Sequence, residues 1–229
     1  PHRLKNIRNW MQKQKIDCYI FPHSDEYLSE YIPPENERLA WISGFTGSAG
    51  LAIITSEKGA IFVDGRYTVQ VKEQVNSSLY EILHIKENPW NAWINNNLQS
   101  NSKIGYDPRL HQANWEAHTR KLLTGNFTLS PIDDNPIDLF WDDRPESNKD
   151  AAFLLNEIFT GKSSVVKRKQ MSEIISKNNC DAAFLTQLDS IAWLLNIRGN
   201  DVPCNPVLLC HGLLYADGAF DLYINEDKI

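Results

Sequence analysis

The sequence predicts an α/β protein built from two tandem domains, each a mixed β-sheet flanked by helices. Three observations support this prediction. Strand-like apolar runs alternate with helical patterns along the chain. Two of these runs are joined by a turn so short that they must be antiparallel neighbours, which makes the sheet mixed. A set of residues in the first half recurs in the second half, as expected for a duplicated domain.

Composition excludes several functional classes. The formal net charge of −6 over 229 residues disfavours nucleic-acid binding, which normally requires a basic patch. No apolar run reaches membrane-spanning length, and the first residues lack the apolar core of a secretory signal. We therefore expect no nucleic-acid or membrane partner. The four cysteines are interpreted as free thiols in a reducing, cytoplasmic compartment: Cys18, Cys180, Cys204 and Cys210.

The first half begins with an amphipathic helix that ends near Lys15, because Leu4, Ile7 and Met11 recur at helical spacing. Apolar runs and turn residues then predict a strand at 17–21, a short helix at 26–29, an exposed loop at 33–37, a helix from 67 to 75, a strand at 79–85, a helix at 89–98, a strand at 103–106, a helix at 111–123 and a strand at 127–129.

The segment from Ala40 to Tyr67 is the most informative part of this half. Trp41 and Ile42 are predicted to begin an extended piece, and three glycines then mark a loop: Gly44, Gly47 and Gly50. Residues 51–55 and 60–63 read as the two antiparallel strands. Asp64 and Gly65 form a turn, after which Arg66 and Tyr67 are expected to open a helix.

Residues 131–145 form the candidate linker, which contains three prolines and five aspartates. Its apolar pair Phe140-Trp141 suggests that it lies against the protein. We therefore place one domain at 1–146, with the linker at its end, and the other at 147–229. In the second half we expect a helix at 161–178 with Val165, Val166, Met171, Ile174 and Ile175 on its apolar side, a strand at 180–185, a helix at 189–195 and strands at 207–211 and 220–224.

The repeat aligns residue by residue. Asp17–Phe21 matches Asp181–Leu185 at an offset of 164 (181 − 17), and Ala40-Trp41 matches Ala192-Trp193 at 152 (193 − 41). The smaller second offset places about twelve extra residues in the first copy. The second copy has only reached the strand that matches 61–64 when the sequence ends, so we expect the second domain to be truncated.

No motif in the chain assembles a catalytic constellation. The three glycines precede a strand, whereas a dinucleotide site needs a helix there, so close strand crossing is the favoured interpretation. Ser48 lacks the spacing of a nucleophile elbow and is interpreted as a loop hydroxyl. Cys204, Cys210 and His211 lack a standard zinc spacing. The acidic stretch 25–37 and the turn 64–67 each remain either solvated or ligand-binding.

The motifs of the chain resemble the N-terminal part of the Xaa-Pro aminopeptidases (aminopeptidase P), in their long three-domain form. The resemblance extends from about Asp17 to about Asn225. Six motifs carry it in the order of the family: Ser29–Pro33, Arg38–Gly50, Asp64–Tyr67, Gly105–Pro108, Trp141–Pro145 and Asp189–Val202. It implies two tandem creatinase-type N-terminal domains, the second of them incomplete.

The resemblance also implies a function. Catalysis belongs to a third, pita-bread domain that binds two divalent metals, with manganese expected, and that removes the N-terminal residue preceding proline from peptides. The expected partners are peptides with proline at position two, and a homodimer through the third domain is consistent with the family. This chain is then expected to hold no metal or catalytic residue and to be inactive alone.

Two residues match family positions that face the catalytic cleft, which the first domain is expected to cover. Glu30 and Arg66 are the predicted substrate-binding residues, since a carboxylate suits a peptide ammonium group and a guanidinium suits a carbonyl or carboxylate. The alternative is a non-enzymatic binding or scaffold protein that uses creatinase-type domains.

Overall fold

The computed structural model describes residues 1–229, and the chain divides into two compact units. Unit 1 comprises Pro1–Glu30 and Glu35–Pro145, and unit 2 comprises Tyr31–Pro34 and Glu146–Ile229. Each unit contains its own β-sheet. None of the helices combines the length and the apolar composition needed to cross a membrane.

Unit 1 is built around a six-stranded mixed sheet in the order β4-β3-β2-β1-β5-β6. Its strands are β1 (Cys18–Pro22), β2 (Gly50–Thr55), β3 (Gly59–Val63), β4 (Glu81–His84), β5 (Lys103–Tyr106) and β6 (Thr128–Pro131). β2 is antiparallel to β1 and β3, as predicted, and the other neighbouring pairs are parallel. Five strands therefore end on the same side of the sheet, which we call the carboxyl edge.

Helices cover both faces of this sheet. Successive residues of a strand point to opposite faces, so each strand contributes side chains to the core on either side. On one face, Tyr19 and Ile54 pack with apolar residues of α1 (His2–Gln14), α2 (Arg38–Ser43) and α3 (Gln70–Gln74). On the other face, Ile20 and Phe62 pack with α4 (Trp90–Asn97) and α5 (Trp115–Leu122).

Several predicted elements of unit 1 were wrong. Trp41 and Ile42 lie in α2 and not in an extended piece, because their burial with Leu39 decides the local conformation. Residues 26–29 form no helix, since Leu28 adopts a positive φ of 54°. The loop at 33–37 is not exposed: Pro34–Asn36 is a 3₁₀ turn in which Glu35 and Asn36 are buried. α3 and α5 begin three and four residues later than predicted, at Gln70 and Trp115.

The linker lies against unit 1, as its apolar pair suggested. Phe140 and Trp141 pack on the core, with the Trp141 ring centroid 6.1 Å from that of Trp41. Buried Arg38 donates two hydrogen bonds to Asp138, of 2.7 Å from Nε and 3.0 Å from Nη2. This bidentate pair ties the linker to the first turn of α2.

Unit 2 contains a three-stranded antiparallel sheet in the order β11-β10-β8 and a separate two-stranded pair, β7 with β9. Its strands are β7 (Phe153–Leu154), β8 (Ala182–Leu185), β9 (Ile197–Arg198), β10 (His211–Tyr215) and β11 (Phe220–Tyr223), and its helices are α6 (Glu157–Thr160), α7 (Ser164–Lys177) and α8 (Leu188–Leu195). Ile175 of α7 and Leu194 of α8 pack against β10.

Two predictions for unit 2 need correction. The strand expected at 207–211 begins only at His211, and Val207 and Leu208 are buried without a strand partner. The expected apolar side of α7 is largely exposed at Val165 and Ile174, whereas Lys167 is buried. The duplication itself has a structural counterpart, since β3-β2-β1 and β11-β10-β8 have the same order and the same antiparallel pairing.

Candidate functional site

Glu30 and Arg66 both lie at the carboxyl edge of unit 1. Arg66 lies three residues after the end of β3, and Glu30 lies on the segment that leads from β1 to α2. Both side chains belong to exposed residues. Loops at the carboxyl ends of strands are where α/β sheets commonly bind ligands, so the sheet places both predicted residues at a suitable position.

Arg66 is held in a fork by Asp64. The Arg66 backbone N–H donates to Asp64 Oδ1 at 2.9 Å, Nε donates to the carboxylate at 3.1 and 3.2 Å, and Nη2 donates to Oδ2 at 2.7 Å. These hydrogen bonds hold the pKa of Asp64 below its ordinary value. The Arg66 side chain is still 63% exposed, so its Nη1 group faces solvent and is available to a ligand.

Residues of the glycine segment position Tyr67, whose ring contacts Arg66. The guanidinium carbon of Arg66 lies 5.3 Å from the ring centroid of Tyr67, within the range of a cation–π contact. The Tyr67 hydroxyl is 2.7 Å from Ser48 Oγ, and its ring meets Phe45 edge-on at 5.5 Å. Ser48, interpreted from the sequence as a loop hydroxyl, therefore orients Tyr67. Glycine at position 47 suits this packing, since an added Cβ would overlap the Phe45 ring and lie 2.7 Å from Tyr67 Cδ1.

The segment that carries Glu30 is anchored near its start, shortly after β1. Buried Asp25 accepts a hydrogen bond from the Tyr27 backbone N–H at 3.0 Å, and Arg38 donates from Nη2 to Glu26 at 2.9 Å. The pKa of Arg66 is raised chiefly by its hydrogen bonds to Asp64, and the Glu30 carboxylate adds a smaller increase. Asp64, and not Glu30, is therefore the main electrostatic partner of Arg66.

Sequence reasoning missed a second Asp-x-Arg fork on the same edge. Arg109, after β5, donates its backbone N–H and Nε to Asp107 Oδ1, both at 3.0 Å, and Nη2 to Oδ2 at 2.7 Å. The signal was present in the sequence, because Asp64-Gly65-Arg66 and Asp107-Pro108-Arg109 share one spacing after a predicted strand.

The other candidate motifs remain apart. No group of three or more His, Cys, Asp or Glu side chains is placed to hold a metal ion. Cys204 is exposed, Cys210 is buried, and all four thiols are free. The three glycines lead into β2 and not into a helix, so they form no dinucleotide cradle.

Comparisons with known proteins bear on both units. Models described as the creatinase/prolidase N-terminal domain match residues 3–138 and residues 143–229. A probable Xaa-Pro aminopeptidase P from Aspergillus fumigatus is 36% identical over 231 residues, which cover 99% of this chain and 35% of that protein. Its counterpart from Colletotrichum graminicola is 34% identical, covering 99% of this chain and 37% of that protein.

A solved structure also resembles the chain along its whole length. The X-prolyl aminopeptidase from Caenorhabditis elegans, described as a cytosolic enzyme with a di-nuclear active site, gives a TM-score of 0.92 at 27% sequence identity. The match covers 100% of this chain and 39% of that one. The chain thus spans little more than a third of the length of these relatives.

Proposed function

Because this chain belongs to the creatinase/prolidase N-terminal domain family, we propose that it is the N-terminal, non-catalytic part of a Xaa-Pro aminopeptidase. Such an enzyme removes the N-terminal residue that precedes proline from a peptide. The observation that carries this proposal is the match to aminopeptidase P proteins along 99% of the chain, together with the TM-score of 0.92. The two matched models support domains at 1–146 and 147–229.

In this proposal unit 1 covers the catalytic cleft and contacts the substrate. Glu30 receives a positively charged group of the peptide, such as its ammonium group. Arg66 binds a carbonyl or carboxylate through Nη1, because Asp64 already occupies Nε and one N–H of Nη2. Both contacts are charge-assisted hydrogen bonds, which are stronger than neutral ones.

The catalytic chemistry is assigned to residues outside this chain. The di-nuclear site of the nematode relative supports two divalent metals, and manganese is the proposed ion. When bound, such metals polarise the scissile carbonyl and lower the pKa of water. The cytosolic relative supports a cytoplasmic location, and a homodimer through the catalytic domain is proposed with it.

The test is a peptide assay on the full-length protein and on residues 1–229 purified in parallel. We expect release of the first residue from Xaa-Pro peptides by the full-length protein with added Mn²⁺, no release from a matched Xaa-Ala peptide, and no turnover by residues 1–229. Turnover by the short chain after repurification would contradict the assignment of catalysis. A full-length protein that binds peptides without cleaving them would support the alternative of a binding module.

A further inference from the structure

The two Asp-x-Arg forks of unit 1 have nearly the same geometry. In each, the arginine directs its backbone N–H, its Nε and its Nη2 at the aspartate two residues earlier, and the Nη2 bonds are both 2.7 Å. In each, Nη1 makes no hydrogen bond, and the side chains of Arg66 and Arg109 are 63% and 47% exposed. The edge therefore presents two guanidinium groups that are oriented by the protein and open to a ligand.

The strand order fixes the separation between the forks. β3 and β5 are three strand spacings apart, in the order β3-β2-β1-β5. At about 4.8 Å per spacing, the two strands are about 14 Å apart. The register adds a stagger, because Val63 lies one residue beyond the level of Pro22 whereas Tyr106 lies level with Ile20, a difference of three residues or about 10 Å along the strands. The carboxyl ends are therefore about 17 Å apart, which about five residues of an extended peptide span at about 3.3 Å per residue. The segment that carries Glu30 emerges between the forks, from the end of β1.

The two forks differ in one respect that matters for their role. Asp107 is buried, whereas Asp64 is partly exposed, so Arg109 also neutralises a carboxylate inside the protein. Asn135 Nδ2 donates a further hydrogen bond of 3.1 Å to Asp107 Oδ2. The hydrogen bonds to Asp107 use only the Nε and Nη2 side of the Arg109 guanidinium group. The Nη1 side remains free for a second partner.

We propose that Arg109 is a second peptide-binding residue, which takes a carboxylate of the peptide about five residues beyond the group held by Arg66. The proposal rests on the function proposed above, in which Arg66 contacts the peptide. It makes the carboxyl edge of unit 1 a binding track for extended peptides with a free C-terminus. The chemistry required is an anionic group at a fixed distance, which a backbone amide cannot supply.

The experiment measures KM on the full-length enzyme for Xaa-Pro peptides of three to eight residues, each with a free or an amidated C-terminus. For the native protein we expect KM to fall about three- to tenfold at the length at which a free carboxylate reaches Arg109, and no such step for the amides. Arg109→Ala should remove the step and leave the shortest peptides unchanged.

Two further variants separate binding from folding. Asp107→Asn combined with Arg109→Ala leaves no unpaired buried carboxylate, so it should fold and still lack the step. Arg120→Ala, which breaks another exposed fork in α5 with Glu116, should keep the step. A step that persists in both Arg109 variants, or equal losses at every length, would overturn the proposal. If only Arg66→Ala changes KM, the contact proposed for Arg66 stands and that of Arg109 fails. If neither replacement changes KM, both peptide contacts fail, and the aminopeptidase assignment is still decided separately by the peptide assay.

Discussion

The ammonium group of Lys167 lies 4.7 Å from the ring centroid of Trp193 and donates a 2.9 Å hydrogen bond to the Trp193 carbonyl oxygen. Unit 1 contains the same arrangement, in which the guanidinium carbon of Arg3 lies 4.8 Å from the Trp41 ring centroid and Nη1 donates to the Trp41 carbonyl at 2.6 Å. The two cations are 164 residues apart (167 − 3) and the two indoles 152 (193 − 41), which are the offsets of the sequence repeat. A cation near a helix C-terminus is stabilising, so both copies have kept the same cap.

Replacing Lys167 tests how much this contact contributes to the stability of unit 2. Lys167 is only 2% exposed, and its Nζ also donates to Asn196 Oδ1 at 2.6 Å. Lys167→Met should leave the carbonyl of Trp193 and the amide of Asn196 without a donor, and should cost about 1–3 kcal/mol in the free energy of unfolding. Urea denaturation followed by tryptophan fluorescence measures the change.

Two comparisons give this prediction its control. Lys169→Met, at an exposed position of the same helix, should change the free energy of unfolding by less than about 0.5 kcal/mol. Arg3→Met should cost less than Lys167→Met, because Arg3 belongs to the exposed surface of α1. An equal loss in Lys167→Met and Lys169→Met would refute the capping role.

The sequence predicted those parts of the fold whose cause is local. The β2–β3 hairpin could be predicted because two apolar runs flank a short turn. The α2 helix could not be predicted, because Trp41 and Ile42 belong to an apolar run too short for its periodicity to separate helix from strand. Arg38 could not be placed in the core either, since its partners Glu26 and Asp138 are 12 and 100 residues away.

The features of the candidate site also divide into those that the local sequence could predict and those that required the structure. Glu30 and Arg66 came from the resemblance to a family, and nothing in their composition or spacing identified them. The fork between Arg66 and Asp64 is local and could have been expected from the turn. The support of Tyr67 by Ser48 joins residues 19 positions apart and required the structure. In α7, burial follows the contacts with α8, so Lys167 is inside although its neighbours in the sequence appeared more apolar.

The protonation of His111 should contribute to the pH dependence of stability. Burial lowers the pKa of His111 to about 4, while nearby Asp107 opposes the shift. Between pH 6.5 and pH 4 the unfolded chain therefore binds a proton that the folded protein does not, so stability is full above pH 6.5 and falls as the pH falls. We expect His111 to account for roughly 1–3 kcal/mol of the loss between pH 7 and pH 4.

The comparison protein for this measurement is His111→Phe, which keeps an aromatic ring on Trp115, 3.8 Å away in the native stack. Denaturation at pH 7, 5.5 and 4.5 should show a shallower pH dependence in the variant. Because every other titrating group, including buried Asp25, is common to both proteins, the difference isolates His111. Parallel curves for the two proteins would show that the imidazole is solvated.

A methyl group at position 47 should disturb the support of Arg66. In Gly47→Ala the added carbon would overlap the rings of Phe45 and Tyr67. We expect a loss of about 1–3 kcal/mol in the free energy of unfolding, because the core around Phe45 is closely packed. Gly65→Ala is the matched control, since its new carbon meets only His84 Nε2, at 3.6 Å. If both alanine variants unfold at the same urea concentration, the packing requirement at Gly47 does not exist.

The last prediction concerns the two proposed substrate contacts in the full-length enzyme. Each of Glu30→Ala and Arg66→Ala removes a charged group that faces solvent at the carboxyl edge, so folding should be unaffected and kcat/KM should fall roughly ten- to hundredfold. A loss of melting temperature that accompanies the loss of activity would assign the residues to the fold instead.

The double variant Glu30→Ala with Arg66→Ala distinguishes two models. If Glu30 and Arg66 bind separate groups of one peptide, their effects on the activation free energy should add. If they act mainly by attracting each other, the second replacement should add little to the first. The contribution of Glu30 to the raised pKa of Arg66 is small beside that of Asp64, so additivity is the expected result.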